Sequence, residues 1–386
     1  MKKVLFTLYK KHSHSLYKQF IDNSPAGYEY FTLDDFFDEF IFEKSSNLFS
    51  EITAKIKRNQ KIVEVAGRNK IDIIYCCDGM LLFNSPIPWI LEFEHATSLI
   101  AHNFGLWKIV KYIVPLLLRQ KNLKYLIPWT EAGMRSLEKN LKIGKGLKSK
   151  IKPIHLCLNK IDSFEDIEKR KIKHENFSIL FVSSVNYNGE DEFYSKGGRI
   201  AIGVFEKLKK EEKNVKLILR SKIPKEFSYL KNDPQVKIYE DILSFDKFQK
   251  IFLESDIFFF PGYQSPGMVF LDTMNYNLPI ISTNVFANRE MIKEGINGYL
   301  VSFPIFSEIH YLFNKYGVKN VPSGNMAKGD LLGEEMIEEF VKKIISLKMD
   351  KNLLIKMGKN SKELLLKEFS LEKRNNELKN VFDAIF

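Results

Sequence analysis

Cysteine is scarce in this chain: 386 residues contain only Cys76, Cys77 and Cys157. Two of the three are adjacent, and none is spaced with histidine as zinc ligands are. This excludes a disulfide scaffold and a structural zinc site, and it points to a reducing, cytoplasmic compartment. Long apolar runs are lacking too. Tyr112–Leu118 is far short of the roughly 20 residues that span a bilayer. The opening Met1–Tyr9 has an apolar stretch that ends at Lys10 and Lys11, with no small-residue cleavage site behind it. It reads as a first buried strand and not as a signal peptide. Internal repeats and low-complexity tracts are absent, although Val318–Gly333 is rich in glycine, lysine and polar residues and reads as a loop.

Acidic residues are thin in one region. Between Leu106 and Lys160, thirteen lysines and arginines face only Glu131 and Glu138, which concentrates much of the net charge of +11 there. Such a block attracts an anionic partner such as phospholipid head groups, a polyphosphate-linked acceptor or nucleic acid, or it is a solvated lysine-rich face. No aromatic platform or helix-turn-helix signature accompanies it, so no specific nucleic-acid partner is expected. Within the block, Leu106–Arg119 sets Lys108, Lys111 and Arg119 on one helical face and apolar residues on the rest, with Pro115 to kink it. That pattern suits either a helix lying on an anionic membrane or a surface helix packed on its sheet.

What is present fits a globular protein of two domains, with 45% hydrophobic and 28% charged residues. Short apolar runs alternate with longer amphipathic ones. Candidate strands in the first half are Val4–Leu8, Lys61–Val65, Ile71–Cys76, Trp89–Phe93, Tyr125–Ile127 and Lys152–Leu158. In the second half they are Ser178–Val182, Lys216–Leu219, Val236–Tyr239, Ile257–Phe260, Ile280–Ser282 and Tyr299–Val301. Segments such as Arg199–Glu212 and Phe245–Glu254 have helical spacing. Continuous apolar strands alternating with helices predict α/β architecture, with two doubly wound parallel sheets covered on both faces. The charged stretch Asn159–Asn176 reads as the joint. The expected domains are 1–165 and 176–365, followed by a closing helical segment, 366–386.

The most informative stretch runs from Asp256 to Val301. An apolar strand leads into the turn-rich loop Pro261–Gly267, then a helix start at Met268. Free amides at Gly267, Met268 and Val269 would face an anion at the carboxyl edge of a parallel sheet, and Asp272, one turn on, could accept two hydrogen bonds from a ribose diol. Here the chain resembles the retaining GT-B glycosyltransferases of glycosyltransferase family 4. The resemblance is carried by Gln264, Gly267, Asp272, Asn277-Leu278-Pro279-Ile280, Glu290-Met291-Ile292 and Gly295-Ile296-Asn297-Gly298. A second patch, Ser178–Ser183 followed by Ser195-Lys196-Gly197-Gly198-Arg199, is similar to the family's first donor-domain strand and its lysine–glycine motif.

The resemblance implies a GT-B fold, two Rossmann-like domains facing a cleft, with residues 1–165 on the acceptor side, 176–365 binding the donor and the last helix packing back on the first domain. It implies a hexosyltransferase that moves a sugar from a UDP- or GDP-sugar to a glycan, lipid-linked or other acceptor with retention, at the inner membrane face. The implied catalytic residues are Gln264, His95 and Lys196. The implied donor-binding residues are Lys196, Gly197, Gly267, Met268, Val269, Asp272, Ser184 and Arg220. No cofactor is expected. With no Asp-x-Asp pair after an apolar strand, no metal is expected either.

Departures from the family pattern are specific. Gln264 stands where the family has a loop glutamate, Asp272 where it has a helical one, and Ser184 where it has an arginine, for which Arg199 or Arg220 could compensate. Glutamine can hydrogen-bond sugar hydroxyls but supplies no negative charge. A nucleotide-sugar-binding protein with weakened catalysis, and an epimerase on the same fold, are the alternative readings. His95 could equally be a histidine satisfied at a strand end. Glu92 and Glu94 are expected to share a strand face, with Glu94 available to an acceptor. Lys10, Lys11, His12 and His14 stand where the family has a glycine-rich acceptor loop.

Overall fold

The computed structural model describes residues 1–13, 15–38, 48–100, 107–185, 189–212, 214–262, 267–302 and 334–386. His14, Gln264 and the expected loop Val318–Gly333 lie outside the described residues. The chain divides into two compact units, Met1–Lys160 with Phe369–Phe386, and Ile161–Glu368.

The first unit holds five parallel strands: β1 (Lys2–Phe6), β2 (Tyr28–Phe31), β3 (Ile73–Cys76), β4 (Trp89–Phe93) and β5 (Leu123–Pro128). Their order is β2-β1-β3-β4-β5, so the winding reverses between β1 and β3. β3 and β4 are buried at every position, as apolar runs covered on both faces must be. Glu92 is the exception in chemistry. It is fully buried in β4, and its Oε1 accepts a 2.5 Å hydrogen bond from Arg374 of the closing helix Leu371–Asp383. Arg374 also donates to the carbonyl of His155 at 2.6 Å and lies 4.4 Å from the centre of the Phe20 ring. Burial pushes the Glu92 carboxyl up, while Arg374 pulls it down. An ion pair this far from water persists only when its partner groups are supplied together. Here one comes from β4 and the other from the last thirteen-residue helix.

Two expected strands are corrected. Lys61–Val65 belongs to a 21-residue helix, Leu48–Arg68. Its buried residues Asn59, Ile62 and Ala66 recur at helical spacing, and this outweighs the β-branched Ile62 and Val63. Lys152–Leu158 forms no strand. It runs beside β5 with single bonds, Lys152 N–H to the Leu126 carbonyl at 2.9 Å and Ile154 N–H to the Pro128 carbonyl at 3.0 Å, and Pro153 has no N–H to extend the ladder. β2 was missed: its sequence Tyr-Glu-Tyr-Phe is only half-buried at the sheet edge. Glu94 lies just past the end of β4, so it does not share the buried strand face of Glu92.

The second unit holds six parallel strands: β6 (Phe177–Val182), β7 (Val215–Arg220), β8 (Val236–Tyr239), β9 (Ile257–Phe260), β10 (Ile280–Thr283) and β11 (Gly298–Val301). The order β11-β10-β9-β6-β7-β8 reverses between β6 and β9. β9 shows how the strands are clothed. Side chains alternate across a strand, so Phe258 and Phe260 meet Phe270 of the helix Met268–Asn275 edge-on at 5.8 and 5.3 Å. Phe259 points the other way and meets Phe340 of the helix Glu334–Met349 at 4.9 Å. The Phe270 contact therefore fixes where the Met268 helix begins, beyond the carboxyl end of β9. The helix Gly198–Glu211 buries Ile200, Ala201, Val204, Phe205 and Leu208 at helical spacing, with Lys209 and Lys210 in its last turn.

Candidate functional site

The strand order of the second sheet reverses between β6 and β9, and open α/β sheets hold ligands at such a point, outside the carboxyl ends of the strands. Two backbones meet there. Gly197, at φ +87° before the Gly198 helix, lies so close to the segment leaving β9 that a Cβ would stand 2.5 Å from the Pro261 carbonyl carbon. Reciprocally, a Cβ on Gly262 would stand 2.5 Å from the Lys196 Cα. The left-handed φ and the lack of room both demand glycine at 197. Gly262 is held from the other side by the Thr283 hydroxyl, which donates to its carbonyl, and the Ser282 hydroxyl donates to the Phe260 carbonyl at 2.6 Å. The structure thus brings Lys196 and Gly197 together with the segment that leads to the Met268 helix.

Each predicted donor residue has a definite place. Gly267 caps the Met268 helix with no side chain to accept from its first amides, and no acidic residue stands in the first turn. Among the described residues no side chain caps the amides of Met268 and Val269, which open the helix at the positive end of its dipole. Asp272 is half-buried, with no side-chain hydrogen bond or ion pair among the described residues. Burial pushes its carboxyl up to about 7. The Lys196 ammonium lies 3.1 Å from the Glu192 carboxylate, in the short helix Gly189–Ser195.

Arg220 ends β7, paired in register with Val182 of β6. Its Nη1 donates to the Ser183 carbonyl at 2.6 Å, and its buried Nε has no hydrogen-bond partner among the described residues. Desolvation lowers the Arg220 pKa. This guanidinium stands at the carboxyl end of β6, one residue from Ser184. Arg199 instead turns to Glu226, 3.9 Å away.

Other parts of the motif are structural. Asn297 is fully buried, its Oδ1 accepting from the Lys293 N–H at 2.7 Å and its Nδ2 donating to the Met291 carbonyl at 3.1 Å. A Cβ on Gly298 would collide with the Ile280 carbonyl of the neighbouring strand. Asn277, at φ +54°, donates from Nδ2 to the Phe164 carbonyl and to Glu168, both at 3.0 Å. Lys362 is buried beside it and donates to the Asp162 carbonyl at 2.8 Å and the Asn275 Oδ1 at 2.9 Å, and burial lowers its pKa to about 8.

Sequence reasoning missed a cavity of about 400 Å³ at the carboxyl end of β8, lined by Tyr239, Glu240, Asp241, Ser244 and Lys247 among others. A turn after an edge strand is too common in sequence to mark it. In the first unit, His95 follows β4, its Nδ1 2.5 Å from the Thr97 hydroxyl and its Nε2 3.9 Å from Glu94. Among the described residues no helix is long and apolar enough to cross a membrane.

The second unit matches a known family, and both units match solved structures. Residues 176–305 match the family described as Glycosyl transferases group 1. That segment contains β6 to β11 and the residues predicted from the sequence to bind the donor, from Ser184 to Asp272. No protein of curated function matches the chain in sequence. Among solved structures, HepE of Anabaena in complex with UDP-glucose is 14% identical with a TM-score of 0.62, each chain covered in full. A glycosyltransferase of Rickettsia africae is also 14% identical at 0.62, covering 100% of this chain and 98% of its own. WaaG, a glycosyltransferase involved in lipopolysaccharide biosynthesis, is 13% identical at 0.61, covering 98% of this chain and 99% of its own. The two Rossmann-like units are those of the GT-B glycosyltransferase fold.

The raised carboxyl makes a pH prediction. An Asp272 that ionises near 7 when folded and near 4 when unfolded costs no stability below pH 4. Its penalty grows as pH rises between those values and is complete above about 7. Asp272→Asn should therefore raise the ligand-free melting temperature at pH 8 by about 2 °C or more and leave it nearly unchanged at pH 4. Equal shifts at both pH values would contradict the assignment.

Proposed function

We propose that the chain is a retaining glycosyltransferase of family 4 that transfers a sugar from a UDP- or GDP-sugar to a glycan or lipid-linked acceptor. The observation that carries this reading is the contact of Lys196–Gly197 with Pro261–Gly262 at the strand-order reversal, which sets a lysine beside the segment that leaves β9 toward the Met268 helix. The donor diphosphate would lie on the amides of Met268 and Val269, with Gly267 leaving room for it and Gly197 allowing the close turn that places Lys196. Lys196 would neutralise the charge that develops on the leaving nucleotide. Arg220, at the end of β6 beside Ser184, would take the place of the family's arginine. Asp272 would hold the ribose diol, and the cavity at the end of β8 has room for the base. In support, HepE of Anabaena, similar in fold, has been solved with UDP and with UDP-glucose.

His95 and Gln264 are assigned to the transfer itself, His95 already oriented by Thr97. Gln264 would hydrogen-bond the donor sugar without supplying charge, which leaves charge stabilisation to Lys196 and the helix amides. The donor side is assigned to residues 176–365 and the acceptor side to 1–165, with 366–386 completing the latter.

An anionic membrane surface is the proposed setting of the acceptor, with the enzyme peripheral at the cytoplasmic face. The helix Trp107–Leu117 supports this: Tyr112, Ile113 and Leu116 are 63%, 46% and 61% exposed, inside the basic block 106–160. Apolar side chains beside lysines bind anionic interfaces by insertion and charge together.

Two measurements check these readings. In calorimetry, UDP, GDP or one of their sugars should bind, and Lys196→Ala should weaken that binding by about tenfold or more. No binding to the wild type, or equal binding to the variant, would end the donor assignment, whereas binding with no sugar ever released would leave a nucleotide-sugar-binding protein. In flotation with phosphatidylglycerol vesicles, the Tyr112→Ser/Leu116→Ser double variant should lose at least about half of the bound fraction. Unchanged flotation, or none with wild type, would remove the membrane from the account.

A further inference from the structure

Lys196 does not present a free charge. Its ammonium is 3.1 Å from the Glu192 carboxylate, and both side chains are sheltered, 21% and 26% exposed. The pairing is built in by the residue between them. Phe193 is fully buried, its ring against Gly198, where any Cβ would collide with it, and 6.1 and 5.6 Å from the rings of Phe181 and Phe227. That anchor fixes the rotation of the helix Gly189–Ser195 about its axis. Residues four apart on a helix share a face, and the Lys196 N–H continues the helical ladder to the Glu192 carbonyl at 3.1 Å, so the backbone itself sets Glu192 beside Lys196.

We propose that Glu192 is a resident counter-anion of Lys196, displaced when a nucleoside diphosphate binds and restored when it leaves. This rests on the reading that Lys196 binds the diphosphate. A lysine carries one positive charge on a compact ammonium, so a carboxylate already beside it offsets part of the attraction it offers a phosphate. The phosphate must also approach a fixed negative charge in a sheltered place, where repulsion is poorly screened. Glu192 thereby weakens the hold on the nucleotide product and speeds its departure, a step that often limits turnover in transferases that close on their substrates. The family-like lysine–glycine motif is thus tuned by a residue four positions upstream that nothing in the motif specifies.

The test uses the full chain and UDP, GDP and ADP as probes, comparing wild type, Glu192→Gln, Lys196→Ala and the double variant by calorimetry and stopped-flow dissociation. Melting temperatures check that each variant is folded, and Glu192→Ala repeats the charge removal with a different side chain. For whichever nucleotide the wild type binds, Glu192→Gln should bind about fivefold tighter or more, with slower dissociation. In the Lys196→Ala background the same change should shrink to about twofold or less, since the competition acts through that ammonium. Unchanged affinity in Glu192→Gln would overturn the proposal. Weaker affinity would overturn it as well and would make Glu192 a positioning residue for the lysine. If none of the three nucleotides binds the wild type, the donor reading itself fails and takes this proposal with it.

Discussion

The contact of two backbones, Lys196–Gly197 against Pro261–Gly262, is the constraint on which the candidate site depends. It joins the segment after β6 to the segment after β9, the two strands between which the sheet reverses its winding. A side chain on either glycine would wedge the two apart. The left-handed φ of Gly197 adds a second reason for glycine, because the turn that aims Lys196 is otherwise strained. Everything downstream is placed relative to this contact. The Gly198 helix starts from one side of it, and the loop toward the Met268 helix leaves from the other. Below it, hydroxyls of Ser282 and Thr283 at the end of β10 tie the carbonyls of Phe260 and Gly262. The supports of this contact are backbone and buried hydroxyls, which have few alternative arrangements.

How much of this could be read in the residues differs by kind of signal. Apolar runs such as Ile257–Phe260 and Ile179–Phe181 are legible because a strand covered on both faces has little freedom in its residue types. The motif residues are legible for a similar reason: glycines 197 and 298 answer to backbone geometry that few residues satisfy. Lys61–Val65 misled because β-branched residues look like a strand over five positions. The helix is declared only by the longer spacing of Asn59, Ile62 and Ala66. The edge strand Tyr28–Phe31 hid because half-buried edges tolerate polar residues.

Charge pairs were the least legible part. Glu92 and Arg374 stand 282 positions apart and meet only in the folded unit, where the pair fastens the closing helix to β4. Glu192 is close to Lys196 in sequence, yet their pairing depends on a helix of seven residues and on the burial of Phe193. Arg220 reaches the end of β6 only because β7 lies beside it in register. In each case the partner is decided by the fold and not by the residue type. The same holds in reverse for Asn297 and Gly298. They are part of the family-like motif, and their contacts hold the turn and the packing of the neighbouring strand.

The central claim is that a nucleoside diphosphate is held at the strand-order reversal of the second unit. The most direct measurement is a structure of the chain with UDP or GDP bound. The account predicts phosphate oxygens within hydrogen-bonding distance of the amides of Met268 and Val269 and of the Lys196 Nζ, with the ribose hydroxyls on Asp272. Phosphates bound elsewhere, with those amides and that ammonium untouched, would contradict it.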